Sequence, residues 1–121
     1  MTVPSSKDRR RAYRKGHLAE WIAALWLLVH GNRIVGRRYK TRNGEVDLIA
    51  RKGDLIIFVE VKARSQVDQA LNAVSATSMK RISDAGEYWI SQQRDYSKLS
   101  WRFDIVAVLP WQFPKHFKDV W

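Results

Sequence analysis

Residues 45–51 and 55–63 are two runs rich in Val, Ile, Leu and Phe, joined by the pair Gly53-Asp54. Glycine at the first position of a two-residue loop is the mark of a type II′ hairpin turn, so the two runs predict antiparallel neighbours in a sheet. A turn of that kind fixes the register and sets Asp47 directly opposite Glu60. Side chains alternate along a strand, so Glu60 and Lys62 leave it on the same side. Two carboxylates and one ammonium are thus placed on a common surface by the turn.

Around this hairpin the chain reads as a single α/β domain spanning residues 1–121, a length that accommodates one core. Residues 33–39 form another strand ahead of Asn43-Gly44, a second hairpin pair, and the three strands predict an antiparallel meander. Leu18, Ile22, Leu25 and Val29 recur at helical spacing before them, and Gly31 ends that helix. Trp21, Trp26, Leu27 and Leu28 make the helix apolar nearly all round, which predicts cover on more than one side. A polar stretch from Arg64 leads to a second helix over 78–92, with Met79, Ile82, Gly86, Trp89 and Ile90 inward, and residues 99–108 read as a fourth strand. The expected order is α-β-β-β-α-β. Residues 1–10 are expected to be a disordered basic arm, with the basic run continuing to Lys15. In the aromatic tail, 110–121, Phe113, Phe117 and Trp121 recur every four residues, which predicts a last helical turn on the body ahead of a partner-binding patch.

Charge narrows the function. Lys and Arg number 22 against 12 Asp and Glu, a formal charge of +10, which draws polyanions from a distance and makes nucleic acid the first partner to consider. With no cysteine, any metal rests on oxygen or imidazole, and a reducing cytoplasm is the expected setting. The apolar run 18–29 carries Glu20 and falls short of the roughly 20 residues of a membrane span, so no membrane association is expected.

The paired carboxylates carry the chemistry. Directly opposed residues hold their Cβ atoms about 4.5–5.5 Å apart, where two carboxylates repel unless a cation intervenes. Mg²⁺ suits such a pair, because it binds one or two carboxylates and keeps waters that substrate phosphate can displace. Lys62 is placed to orient the attacking water or to stabilise charge on the phosphate. Glu20 is the one charge in the apolar helix, and an unpaired buried carboxylate is costly, so it is a third candidate acid. Glu-x-Lys on a strand is by itself commonly a solvated charge pair. The opposed Asp47 and the isolated Glu20 tip the reading to a metal site. Glu45 is set aside as a solvent-facing partner of a basic side chain, and Asp104 is expected to make a structural hydrogen bond.

The strings Gly44-Glu45-Val46-Asp47-Leu48-Ile49-Ala50 and Phe58-Val59-Glu60-Val61-Lys62-Ala63-Arg64-Ser65, with Arg38 to Asn43 before them and with Lys80-Arg81-Ile82 and Arg102-Phe103-Asp104 after, resemble the YraN family, bacterial proteins regarded as endonucleases. The likeness runs from about Gly16 to Val108. That family is similar to archaeal Holliday-junction resolvases and to the PD-(D/E)XK superfamily. The resemblance implies a restriction-endonuclease-like core, a mixed sheet flanked by helices, and Mg²⁺- or Mn²⁺-dependent hydrolysis of DNA phosphodiester bonds, in branched or single-stranded substrates. It implies Asp47, Glu60 and Lys62 as catalytic residues, and Glu20, Asp47, Glu60 and Val61 as metal ligands. Val46 stands where the superfamily has a proline before the aspartate. A homodimer is the assembly that resolvase-like cutting would imply.

Arg14, Arg38, Arg42, Arg64 and Lys80 are the basic residues expected to hold phosphates, which position a nucleic acid without reading its sequence. Two rival readings stay open: a non-catalytic nucleic-acid-binding module on the same fold, and a nuclease acting on RNA.

Overall fold

The computed structural model describes residues 5–121, apart from the side chains at positions 12, 13 and 15. It is a mixed α/β fold in which one five-stranded sheet lies between helices. The first helix, α1, spans Ser6–Val29. It is followed by β1 (Arg33–Thr41), β2 (Gly44–Lys52) and β3 (Leu55–Ala63), then α2 (Val67–Asn72) and α3 (Ala76–Ser91), then β4 (Ser100–Val108) and β5 (Lys115–Phe117). Strand order follows chain order; β1, β2 and β3 are antiparallel, β3 and β4 are parallel, and β5 returns antiparallel to β4.

The expected meander and the 53–54 turn are present. Leu48 pairs with Val59 and Lys52 with Leu55, and Gly53 alone of the two loop residues has a positive φ, +61°, as a type II′ turn requires. The other turn lies one residue earlier than expected. Thr41 pairs with Gly44, so Arg42 and Asn43 form the loop, neither with positive φ. The Thr41 hydroxyl accepts from the Asn43 amide at 3.3 Å and donates to the Gly44 carbonyl at 3.2 Å. Gly44 serves another purpose: a Cβ there would sit 1.8 Å from the Arg81 carbonyl oxygen of α3, so it is a point of backbone contact between sheet and helix.

α1 and α3 cover opposite faces. Ala19, Ala23, Ala24 and Leu27 of α1 pack on Leu48, Ala50, Ile57 and Val59, while Ile82, Ala85 and Ile90 of α3 pack on Val46, Ile49, Ile56 and Phe58. Ile56, Ile57, Phe58 and Val59 are all at most 2% exposed. Each such side chain contributes about 1.5–3 kcal/mol on burial, which makes β3 the spine of the sheet.

Several expectations are corrected. α1 begins at Ser6, where the Ser5 hydroxyl accepts from the Asp8 amide and the Asp8 carboxylate accepts from the Ser5 amide, a capping box that carries the described part of the basic arm into the helix; residues 1–4 lie outside the described residues. α1 is covered on one side only. Its small residues face the sheet, and Leu18, Trp21, Leu25, Leu28 and Val29 are exposed, because a single helix lies on this face. The stretch after Arg64 contains α2. The tail forms a turn and a strand instead of a helix: Phe117 is half-buried beside Ala107 and Leu109, and Trp121 stacks on Phe103 at 5.5 Å and donates its indole N–H to Ser83.

Candidate active site

The sheet opens where the acidic residues lie. The β2–β3 ladder ends at Leu48↔Val59, so Asp47 and Glu60 would be the next pair. The Val61 amide instead donates to the Asp47 carboxylate at 2.8 Å, a side chain standing in for a backbone acceptor. Alternation along β2 breaks at this residue: Val46 packs under α3 and Leu48 under α1, although they are two apart. The neighbouring strand breaks too. The β1–β2 pairs skip from Arg37↔Leu48 to Tyr39↔Val46, and the residue passed over, Arg38, has φ +50°, a left-handed conformation that non-glycine residues seldom adopt.

The two carboxylates meet. Burial, together with a hydrogen bond to Asp47 and repulsion by its charge, pushes Glu60 up to about 8, against a smaller opposing pull from Lys62. Burial and a neighbouring carboxylate thus favour the protonated form of Glu60, and a divalent cation would reverse that preference. The Lys62 ammonium is 3.3 Å from Glu60 Oε1. Glu20, Asp47, Glu60, Lys62 and Arg64 line one open cleft of about 460 Å³. An adjoining hollow adds Arg38 and Lys40.

Glu20 has a partner that sequence reasoning did not foresee. Arg38 Nε donates to both of its carboxylate oxygens, at 2.8 and 3.2 Å, so the buried charge is balanced. Among the described residues no three carboxylate or imidazole groups are gathered closely enough to hold a metal ion on side chains alone. The donors that Asp47 and Glu60 bring to the cleft are oxygens only. That fits a small divalent ion, and Mg²⁺ takes its remaining ligands as water.

The basic residues divide. Arg64 is exposed at the cleft, where its guanidinium also donates to the Ala63 carbonyl. Arg42 is exposed in the 42–43 turn, Arg14 stands with Lys7, Arg10 and Arg11 on the first turns of α1, and Lys80 on α3 pairs with Asp84 at 3.1 Å. Neither Arg42 nor Lys80 lines the cleft. Glu45, set aside on sequence, does line it; its spacing of two from Asp47 was the available signal. Asp104 is a structural residue: it is fully buried and accepts from Arg102, His116 (2.7 Å) and the Asp119 amide (2.9 Å). Burial pushes its carboxyl up, but these hydrogen bonds outweigh that and hold it below the usual range. Among the described residues no helix is long and apolar enough to cross a membrane.

The chain is similar along nearly its whole length to proteins of several bacteria. It is 52% identical to a UPF0102 protein of Mesorhizobium japonicum over 98% of this chain and 95% of that relative, and 55% identical to one of Sinorhizobium medicae over 98% of both. A third, of a Chelativorans species, is 52% identical over 100% of this chain. The family model described as uncharacterised protein family UPF0102 matches residues 19–108. The chain belongs to the uncharacterised protein family UPF0102.

Proposed function

We propose that this protein is a metal-dependent nuclease of the PD-(D/E)XK kind, hydrolysing phosphodiester bonds of DNA with Mg²⁺ or Mn²⁺. One observation carries the reading: Asp47, Glu60 and Lys62 line one open cleft, with the Lys62 ammonium 3.3 Å from Glu60 and the Asp47 carboxylate held 2.8 Å from the Val61 amide between them. Acids perturbed by burial and by a like charge, set in a cleft, are the pattern that functional sites favour.

Asp47, Glu60 and the main chain of Val61 would hold the ion, with Glu20 reaching it through water while paired to Arg38. A divalent ion held there would supply a water of lowered pKa and a charge to polarise a phosphoryl oxygen. Glu60 would have to release its proton to solvent to serve as a ligand. Lys62 Nζ, beside Glu60 in the cleft, would orient the attacking water and balance charge growing on the phosphate. Arg64 at the rim holds a neighbouring phosphate, and the excess of basic residues steers the polyanion to the cleft.

The test incubates the protein and its Asp47→Ala and Lys62→Ala variants with labelled duplex, single-stranded, flap and four-way-junction DNA and with RNA, each in Mg²⁺, Mn²⁺ or chelator. Metal-dependent cutting of DNA that both variants lose is expected. Binding without cutting in every condition would leave a non-catalytic nucleic-acid module, and cutting of RNA alone would move the substrate class.

A further inference from the structure

A second opening lies on the α1 side of the sheet, toward its other end. It is a cavity of about 610 Å³ between the last turns of α1, the start of β3 and the tail before β5. α1 rises about 1.5 Å per residue, which sets Trp26 roughly 9 Å along the helix from Glu20. Phe113 is 82% exposed at its mouth, with its ring centroid 6.4 Å from that of Trp26. Lys52, Lys115 and Lys118 also line it, and among the described residues no acid does. Lys52 reaches the His30 carbonyl at 3.4 Å, and an ammonium carries two further donors.

Two buried polar atoms here have no hydrogen-bond partner. They are Trp26 Nε1, a donor, and Asn32 Oδ1, an acceptor. Both side chains line the cavity, and Asn32 is only 7% exposed. Orphaned buried groups are rare enough to call for a cause. A ligand with a flat apolar face, a polar edge and a negative charge matches all three features of the lining. An unpaired nucleotide has that chemistry, and aromatic rings flanked by lysines are how proteins hold one without reading its sequence. A base inside a duplex has no free face to offer Phe113.

We propose that this cavity receives one unpaired nucleotide of a single-stranded nucleic acid, its base against Phe113 and Trp26 and its phosphate on Lys52, Lys115 and Lys118. The inference rests on the nucleic-acid reading above for the polymer, and on the cavity itself for the place. It gives Phe113, the one tail aromatic of the 113, 117, 121 series left outside the core, a ligand to cover.

Binding of a dye-labelled short oligothymidine is measured in chelator, where nothing is cut, for the parent protein and for Phe113→Ala, Lys115→Ala and Lys98→Ala. Phe113 and Lys115 are exposed, so both variants fold. Phe113→Ala is expected to weaken binding roughly tenfold, and Lys115→Ala to weaken it and lower the salt slope by about one. Lys98, exposed and outside the cavity, serves as the matched charge control and should stay within about twofold. The Trp26 indole N–H resonance should shift with the oligomer and with thymidine monophosphate, and not with inorganic phosphate. Oligothymidine binding unchanged in Phe113→Ala overturns this inference alone. Thymidine monophosphate binding as tightly as the oligomer assigns the cavity to free nucleotides and overturns the strand reading. No binding of any nucleic acid, with or without metal, overturns the nuclease proposal as well.

Discussion

The Asp47 carboxylate accepts a hydrogen bond from the Val61 amide at 2.8 Å, bridging two strands where their backbone ladder has stopped. This contact ties the acid of β2 to the strand that carries Glu60 and Lys62. Asp47 thus has a structural task besides the one proposed for it. Asp47→Ala should cost about 1–3 kcal/mol by leaving the buried amide without an acceptor, and Asp47→Asn, which keeps an acceptor, should cost less. Urea unfolding of the two variants separates them; equal losses would mean that the hydrogen bond contributes nothing.

Glu60 makes stability depend on pH. Its folded pKa, about 8, lies above its ordinary value of 4.5, so the folded protein holds the extra proton between those limits. Stability from this group is complete below about pH 4.5 and falls as pH rises through about 8. Thermal melts in chelator should therefore show a declining limb over this range that Glu60→Gln flattens. Saturating Mg²⁺ should flatten it as well in the parent protein and not in the variant. A parent curve level from pH 5 to 9 in chelator would remove the conflict on which the metal site is argued.

Asp104 acts in the opposite direction. Burial opposes its ionisation, but hydrogen bonds from His116, Arg102 and the Asp119 amide hold its folded pKa below the usual 3.8. Its contribution is present above the unfolded pKa and is lost as pH falls through the folded one. Asp104→Asn should destabilise by about 3 kcal/mol, since it leaves the guanidinium of Arg102 without its counter-charge. The variant should also lack the part of the acid-unfolding limb below pH 3.8 that the parent shows. Titration of circular dichroism in acid reads both effects.

Glu20 and Arg38 form a buried pair that the proposed chemistry uses at one remove. Glu20→Gln is expected to lower stability by about 1–3 kcal/mol, because Arg38 loses its counter-charge and one of its two acceptor oxygens. Mg²⁺ affinity, read by calorimetry, should change only a few fold, against near-complete loss in Asp47→Ala. Abolished Mg²⁺ binding in Glu20→Gln would make Glu20 a direct ligand.

Gly44 is expected to tolerate no side chain. The Arg81 carbonyl would lie 1.8 Å from a Cβ, and backbone cannot yield as a flexible side chain can, so Gly44→Ala should cost at least about 2 kcal/mol. A melting temperature within a degree of the parent protein would mean that α3 moves aside freely.

Much of this was legible in the sequence because the informative hairpin is local. Gly53-Asp54 set the register of β2 and β3, and with it the approach of Asp47 to Glu60. The neighbouring turn misled because Gly44 is there for the closeness of α3, a contact 37 residues away, and not for a positive φ. Ser5 and Asp8 did carry the start of α1, as a serine followed three residues later by an acid. The Arg38–Glu20 pair was hidden, since it depends on an arginine in a left-handed conformation that no local pattern announces. The tail was misread as helical because its spacing of four coincides with a strand and a turn that send Phe113, Phe117 and Trp121 to three different surroundings.

The parallel pairing of β3 with β4 has a kinetic corollary. β4 can dock only after the chain has looped through α2 and α3, a long closure that slows folding, whereas the β2–β3 hairpin closes across two residues. Asp47 and Glu60 both belong to that early unit. The aromatic cavity draws also on Arg102 of β4 and on Lys115 and His116 of β5, so it is complete only once the long closure has been made.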